Sequence, residues 1–192
     1  METFQNAVVH GRFQPPHNGH IRYILSALDR SEHLYIGICT PKICTEEESR
    51  QNGYPCTQAL NPFSHAERAD MIRLSLEAAG ISSNRYTVIP FPSDYTHLSS
   101  CIPNDTVFLM SVTAGSDNGK ISHIESLGYK TQTIMTKSEG DARERSGTIR
   151  DNAHAGNPIW EASVPAVVAE YIKEHGLVSK ITPSETARDM IE

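Results

Sequence analysis

The stretch that decides the fold is Gly11-Arg12-Phe13-Gln14-Pro15-Pro16-His17-Asn18-Gly19-His20. A short apolar run at residues 6–10 precedes it, and its two prolines and glycine interrupt any regular pattern. Apolar residues then return with helical spacing, at Ile21, Tyr23, Ile24, Leu25 and Leu28. The order predicted around this stretch is therefore a strand, a loop and a helix.

The same alternation continues along the chain. Short apolar runs predict further strands at residues 34–39, 86–91, 106–112 and 130–135. Helices are predicted from the Ser64/Glu67 capping box to Gly80, at residues 121–127 and at residues 163–175. Residues 40–61 are polar and aperiodic, which predicts a mobile loop. Strands that alternate with helices indicate an α/β fold, a Rossmann-like doubly wound parallel sheet with helices on both faces.

Length and composition limit the class of protein. With 192 residues, of which 38% are hydrophobic and 21% charged, the chain suits one globular domain. We expect that domain to span residues 1–181 and a polar tail to follow at residues 182–192. The net charge of −6 argues against a nucleic-acid partner. A homo-oligomer is compatible with these data.

The location is predicted from what the chain lacks. No run approaches the roughly 18 apolar residues that a membrane span needs, and the start METFQNAVVHGR is not a signal peptide. We therefore expect no membrane partner and a cytoplasmic protein. The four cysteines, Cys39, Cys44, Cys56 and Cys101, form no C-x-x-C pair, and free thiols are expected.

The loop after the first strand predicts an anion site. Ligands of open α/β sheets bind beyond the carboxyl ends of the strands. Asn18 is predicted to cap the helix, whose first amides would face a phosphate, while Gly19 allows close approach. His17, His20 and Arg12 add donors. Chance spacing of the two histidines is the alternative interpretation, and a zinc site is disfavoured because two imidazoles leave its coordination incomplete. No metal site is predicted.

This stretch resembles the signature of the H-x-G-H nucleotidyltransferase superfamily. Its long form, G-R-F-Q-P-x-H-x-G-H, is similar to that of the archaeal-type nicotinamide mononucleotide adenylyltransferases. Residues 61–68, NPFSHAER, resemble the family's N-P-F-T-x-x-E-R segment, and residues 145–150, RSGTIR, are similar to its S-x-T-x-I-R-like turn. The resemblance covers roughly residues 8–172.

The resemblance implies an enzyme that transfers a nucleoside monophosphate from a triphosphate, ATP first, to a small phosphorylated acceptor such as nicotinamide mononucleotide, releasing pyrophosphate. It also implies Mg²⁺ carried with the triphosphate. The residues implied in catalysis are His17, His20 and Arg150, and those implied in nucleotide binding are Gly11, Arg12, Phe13, Gly19, Ser146, Gly147 and Thr148. The turn aligns either on Ser146, Gly147 and Thr148 or on Arg150.

The acceptor segment departs from the family pattern. These adenylyltransferases usually place a tryptophan after the third strand, where it stacks on nicotinamide. Residues 93–101 hold only Tyr95 and His97 as aromatic side chains, and these two become the predicted acceptor contacts. A cytidylyltransferase acting on a phosphonate or phosphate, and a non-catalytic nucleotide sensor, are the two alternatives.

Smaller features carry weaker hypotheses. Residues 115–118 follow the fourth strand and either contact a ribose or base or form an ordinary turn. Among the loop cations, Arg145 is the candidate for an anion contact. Trp160 is interpreted as a packing residue.

Overall fold

The structure is a computed structural model, and it describes residues 3–92, 94–95, 97–113, 118–137 and 145–182. Its strands are β1 Phe4–Gly11, β2 Ser31–Cys39, β3 Tyr86–Phe91, β4 Val107–Thr113 and β5 Lys130–Lys137. They form one sheet in the order β3-β2-β1-β4-β5. All four neighbouring pairs are parallel. The predicted parallel α/β sheet is confirmed.

Seven α-helices accompany the sheet in the described part of the chain. They are α1 Asn18–Leu28, α2 Glu46–Asn52, α3 His65–Ala78, α4 Asn118–Ser126, α5 Ser146–His154, α6 Ile159–Ser163 and α7 Ala166–Glu174. The predicted capping box of Ser64 and Glu67 begins α3, and Gly80 follows it at φ 74°. A left-handed residue of this kind ends a helix at low cost when it is glycine.

Alternation along β1 places a core on each face of the sheet. Ala7 and Val9 pack with apolar residues of α1 and α3. Val8, which points the other way, packs with residues that include Phe108 of β4 and Ile124 of α4. Helices on both faces are thus confirmed, as a doubly wound sheet requires.

A third apolar cluster joins α3 to the C-terminal helices. Met71 of α3 packs with Ile149 of α5, Trp160 of α6 and Val168 of α7. Trp160 is buried there, which confirms its packing role. This cluster holds α5 against the body of the domain.

The C-terminal helical pattern is broken where the sequence predicted one helix over residues 163–175. The structure has α6 ending at Ser163 and α7 beginning at Ala166. Val164 is extended, at φ −117° and ψ 160°. The reason is Pro165, because the ring of a proline disfavours the helical conformation of the residue before it.

Residues 40–61 are not the mobile loop that was predicted. Thr45 and Glu48 form a reciprocal capping box that begins α2, and Gly53 ends it at φ 61°. The side chains of α2 are mostly exposed, so its sequence lacks the apolar period by which a helix is recognised. Composition alone therefore suggested a loop.

The expectation of four free thiols was wrong. Cys44 and Cys56 form a disulfide that spans the segment containing α2, with Cα atoms 5.4 Å apart. Cys39 and Cys101 are free. The size of the domain removes the need for a cross-link in the main core, but a segment with few buried apolar side chains still gains from a local one.

The disulfide determines how many thiols can be titrated, and it contributes to the free energy of unfolding. Titration of unfolded, unreduced protein should detect Cys39 and Cys101 alone, and reduction should release the other two cysteines. Opening a loop of this size should lower the free energy of unfolding by about 2–3 kcal/mol, because the unfolded chain regains entropy. Denaturant melts with and without reductant measure this.

The matched control for that melt is Cys101→Ser, which leaves the bridge intact and should unfold at nearly the same denaturant concentration as the parent. Detection of all four thiols in unreduced protein would contradict the assignment.

Candidate functional site

The carboxyl ends of the parallel strands lie along one edge of the sheet, and the motif loop stands there. β1 ends at Gly11, residues 12–17 cross the edge, and α1 begins at Asn18. β1 is central, with β2 on one side and β4 on the other. The loop therefore occupies the crevice where open α/β sheets bind their ligands.

His17, and not Asn18 as predicted, caps α1. Its Nδ1 accepts a hydrogen bond from the backbone amide of His20 at 3.3 Å, and its backbone is extended. Asn18 instead donates to the carbonyl of Ala162 in α6, at 2.9 Å. With Nδ1 acting as acceptor, the neutral imidazole of His17 carries its proton on Nε2. Sequence preference favours Asn at this position, so imidazole capping was not anticipated.

The two predicted histidines lie together. Their rings stack with centroids 3.6 Å apart, and His20 also meets the edge of Phe13 at 4.9 Å. His17 is buried, whereas His20 is partly exposed. Gly19 shares their first turn of α1, where backbone amides lack partners within the helix. This turn offers donors to an anion.

Gly11 and Phe13 shape the loop. Phe13 is buried at φ 51°, a left-handed conformation that is uncommon outside glycine. A Cβ on Gly11 would lie 3.2 Å from the Phe13 ring. Both residues are thus needed for the path of the backbone, and strain of this kind is concentrated at functional sites.

Arg68 of α3 organises the edge of the sheet. It is the last residue of the NPFSHAER segment, but no role for it was predicted from the sequence. Its side chain is 1% exposed. It donates to the carbonyl oxygens of Arg12, at 2.6 Å, Cys39, at 2.9 Å, and Ser64, at 3.1 Å, and to Thr40 Oγ1 at 2.9 Å. One guanidinium therefore joins the ends of β1 and β2 to the start of α3. The signal that could have found it was an arginine on the apolar face of a helix.

Gln14 connects the loop to two other elements. Its amide exchanges hydrogen bonds with the backbone of Phe63, at 2.9 and 3.0 Å. Its carbonyl accepts a bond from Arg150 Nη1 at 2.7 Å. Arg150 belongs to α5, so this bond brings the C-terminal turn against the motif loop, as the resemblance implied.

Three guanidinium groups concentrate positive charge at this edge of the sheet. Burial is the largest cause that lowers the pKa of Arg68 and that of Arg150, to about 10 each, and the charge of Arg12 contributes to both shifts. The carboxylates of Glu67 and Asp151 act in the opposite direction. Burial lowers the pKa of Arg12 as well. Within the described ranges, no carboxylate lies within 4 Å of these three guanidinium groups. Because all three stay charged near neutral pH, the arrangement favours an anionic ligand.

The first turn of α5 adds a second set of amides. It contains Ser146, Gly147 and Thr148, and the side chain of its N-cap residue, Arg145, makes no capping hydrogen bond. A Cβ built on Gly147 would meet no atom of the described protein within 4 Å, so space lies open beside this turn. Arg150 is one turn further along the same helix. Both alignments of the motif therefore place their residues in one part of the site.

Tyr95 and His97 are placed differently from one another. Tyr95 is half-buried, and its hydroxyl lies 2.8 Å from Nε2 of His10, the residue before Gly11. His97 is exposed, and its carbonyl accepts local hydrogen bonds from Ser100. Both have positive φ, of 59° and 55°. The structure thus brings Tyr95, but not His97, against the end of β1. The pairing with His10 was not predicted from the sequence.

Some of the other residues singled out in the sequence lie outside the part of the chain that the structure describes. Of the candidate ribose-contacting stretch, residues 115–117 lie outside the described residues. Arg145 precedes α5 with an exposed side chain. Among the described residues, no three His, Cys, Asp or Glu side chains lie close enough together to hold a metal ion. None of the described helices is both long and apolar enough to cross a membrane.

Comparison with known proteins agrees with this geometry. The cytidylyltransferase-like family model matches residues 8–111. Phosphonoformate cytidylyltransferase of Streptomyces viridochromogenes is 31% identical over 175 residues, covering 91% of this chain and 94% of that protein. Nicotinamide-nucleotide adenylyltransferase of Thermococcus kodakarensis is 32% identical over 181 residues, covering 89% and 84%.

A solved structure shares the fold. The bifunctional NMN adenylyltransferase/ADP ribose pyrophosphatase of Francisella tularensis, in complex with AMP and a manganese ion, superposes with a TM-score of 0.59 at 18% identity. The match covers 92% of this chain and 52% of that one, so the chain spans about half of the bifunctional protein. Because the family match extends over more than half of the 192 residues and the aligned enzymes cover most of the chain, the protein belongs to the cytidylyltransferase-like family of nucleotidyltransferases.

Proposed function

We propose that the protein transfers a nucleoside monophosphate from a nucleoside triphosphate to a phosphate or phosphonate oxygen of a small acceptor, releasing pyrophosphate. The observation that carries the proposal is the group of three guanidiniums, Arg12, Arg68 and Arg150, beside the first turns of α1 and α5. Two helix N-termini and three cations that no described carboxylate approaches within 4 Å suit a triphosphate at this edge of the sheet.

The reaction is an in-line displacement. An acceptor oxygen forms a bond to the α-phosphorus, the bond from that phosphorus to the bridging oxygen of the β-phosphate breaks, and pyrophosphate leaves with the bonding electrons. An ionised phosphate or phosphonate is already a nucleophile, so no general base is required. Catalysis then depends on positioning and on fixed donors that face the developing charge.

Each site residue has a role in this proposal. His17 and His20 face the α- and β-phosphates from the start of α1, and Arg12 contacts the triphosphate. Thr148 and Arg150 serve the β- and γ-phosphates, with the amides of Ser146 and Gly147 beside them. Gly11, Phe13 and Gly19 shape the backbone that lets the phosphates approach. Arg68 acts through the carbonyls it holds, and is a positioning residue.

Mg²⁺ is proposed to enter with the triphosphate. Magnesium keeps several waters and often binds through substrate phosphates, and the described residues supply no dedicated set of ligands for it. The manganese ion named with the Francisella enzyme supports the use of a divalent cation.

Two donor and acceptor pairs follow from different observations. ATP with nicotinamide mononucleotide is the first, supported by the long histidine motif and by the archaeal adenylyltransferase relatives. CTP with a small phosphonate is the second. It is favoured by Tyr95, whose hydroxyl is engaged with His10 in the segment where the adenylyltransferases usually place a stacking tryptophan, and by the phosphonoformate cytidylyltransferase relative.

The remaining expectations stay predictions. They are a single domain over residues 1–181 with a tail after it, acceptor contacts from Tyr95 and His97, a homo-oligomer, and the absence of nucleic-acid and membrane partners. A cytoplasmic location is also a prediction. The Cys44–Cys56 bridge argues against it, because disulfides are rare in reducing compartments.

The deciding experiment combines purified protein, magnesium and each of ATP, CTP, GTP and UTP with nicotinamide mononucleotide or small phosphonates. Pyrophosphate release is followed over time, and the masses of the products are measured by mass spectrometry. A product heavier than the acceptor by one nucleoside monophosphate residue supports the proposal. Tight triphosphate binding without pyrophosphate from any acceptor would favour the non-catalytic sensor instead.

The role of His20 in catalysis can be tested by substitution. His20→Ala should lower kcat by about 100-fold, because it removes a donor aimed at charge that develops in the transition state. Stability should change little, since His20 is partly exposed. The control is His33→Ala, whose imidazole bonds Thr87 between β2 and β3 and lies outside the site. Near-parental turnover in His20→Ala would remove this residue from the mechanism.

A second prediction separates stability from activity at Gly147. Gly147→Ala adds a methyl group in open space within a helix, so the free energy of unfolding should stay constant or rise by up to about 1 kcal/mol. The same methyl group would occupy the place proposed for the triphosphate, and the KM for the nucleotide should rise about tenfold or more, with the acceptor KM nearly constant. Thermal melts and steady-state kinetics measure both. An unchanged nucleotide KM would place the triphosphate elsewhere.

A further inference from the structure

His10 stands at the carboxyl end of β1, immediately before the motif loop, with an incomplete set of hydrogen bonds. Its side chain is 8% exposed. Nε2 lies 2.8 Å from the Tyr95 hydroxyl, while Nδ1 is buried without a hydrogen-bond partner in the described structure. An unsatisfied buried group destabilises the folded protein, so each one needs an explanation, of which a role in binding or catalysis is one.

The ring of His10 is fixed by its neighbours. It stacks on Phe91 with centroids 4.9 Å apart and meets Tyr95 and Phe108 edge-on. Phe91 is itself held over Gly37, where a Cβ would lie only 2.5 Å from the Phe91 ring. His10 therefore presents its nitrogens in one orientation.

Tyr95 is not arranged as a stacking platform. Its ring makes edge-type contacts with His10, Phe91 and His123, at centroid distances of 5.4, 6.1 and 5.7 Å. Its hydroxyl is directed to His10, and its positive φ of 59° shows that the loop holds it there against the usual backbone preference. A flat acceptor ring gains little from this arrangement.

Charge around His10 favours an anion. Burial is the main cause that lowers the pKa of His10, and the charge of Lys120 on α4 lowers it further. At the adjoining end of β2, burial raises the pKa of Cys39 to about 11, although the charges of Lys120, Arg68 and Arg12 act to lower it. The imidazole is thus neutral with a single proton. In a positive potential, the tautomer with Nε2 accepting from Tyr95 and Nδ1–H donating suits an anionic ligand, whereas the pyridinium of nicotinamide would be repelled.

We propose that His10 selects the acceptor, with its Nδ1–H donating a hydrogen bond to an anionic oxygen that a compact acceptor carries beside its reacting phosphate or phosphonate group. The inference rests on the proposed function, because it concerns the acceptor of that reaction. His10 is a specificity residue. Tyr95 positions it by donating its hydroxyl hydrogen to Nε2 and does not contact the reacting group.

The test compares two acceptors of similar size, phosphonoacetate and ethylphosphonate, the second of which lacks the carboxylate. Pyrophosphate release is measured with the triphosphate that the protein uses. The wild type should prefer phosphonoacetate by about tenfold or more in kcat/KM, the effect expected of one hydrogen bond to a charged group. Equal use of the two, or better use of nicotinamide mononucleotide than of phosphonoacetate, overturns the inference.

Two variants of His10 distinguish the roles of its two ring nitrogens. In His10→Asn the amide nitrogen lies near the place of Nδ1, whereas in His10→Gln it lies near that of Nε2. The preference for phosphonoacetate should persist in His10→Asn and fall to about one in His10→Gln, with the nucleotide KM within about twofold of the parent in both. A residue that served packing alone would show the same change in both variants, and that result contradicts the proposal.

A measurement without substitution covers the case in which a variant does not fold. With histidine labelled by ¹⁵N in the wild type, phosphonoacetate together with an unreactive triphosphate should shift the His10 Nδ1 resonance and slow exchange of its proton, and ethylphosphonate should not. Absence of that difference overturns the inference. If no acceptor yields pyrophosphate, the proposed reaction fails separately, and the resonance still reports on His10.

Discussion

The buried guanidinium of Arg68 is the interaction on which the rest of the site depends. Parallel strands end in carbonyl groups that have no partner in the sheet, and at this edge two such ends must also leave room for a ligand. Arg68 satisfies carbonyls of Arg12, Cys39 and Ser64 at once from within α3. Its guanidinium donates to these carbonyl dipoles and to the hydroxyl of Thr40, and no described carboxylate lies within 4 Å of it. It therefore fixes the loop and leaves a positive potential for an anion.

Arg150 is a second buried arginine that fixes the backbone of the motif loop. It too donates to a backbone carbonyl, that of Gln14, and it joins α5 to the loop. Because Gln14 also bonds the backbone of Phe63, the start of α3, the motif loop and the start of α5 form one connected framework. Two helix N-termini and three cations are then held in a fixed relation before any substrate arrives, which is how such sites limit the cost of reorganisation.

Much of this could be predicted from the sequence. The strand–loop–helix order, the capping box at Ser64 and the histidine motif each depend on local residue preferences, which sequence displays directly. The exposed helix α2 and the Cys44–Cys56 bridge were missed because neither has an apolar period or a recognisable spacing. The His10–Tyr95 pair joins residues far apart in the chain, and only the parallel arrangement of β1 and β3 around β2 brings their ends together.

The central claim is that a triphosphate lies between the first turns of α1 and α5. Its most direct test is a crystal structure with magnesium and a triphosphate whose α,β-bridging oxygen is replaced by methylene. We expect phosphate oxygens within hydrogen-bond distance of the His20 ring, the Gly147 amide and the Arg150 guanidinium. A triphosphate bound at the opposite edge of the sheet, or one that contacts neither turn, would contradict it.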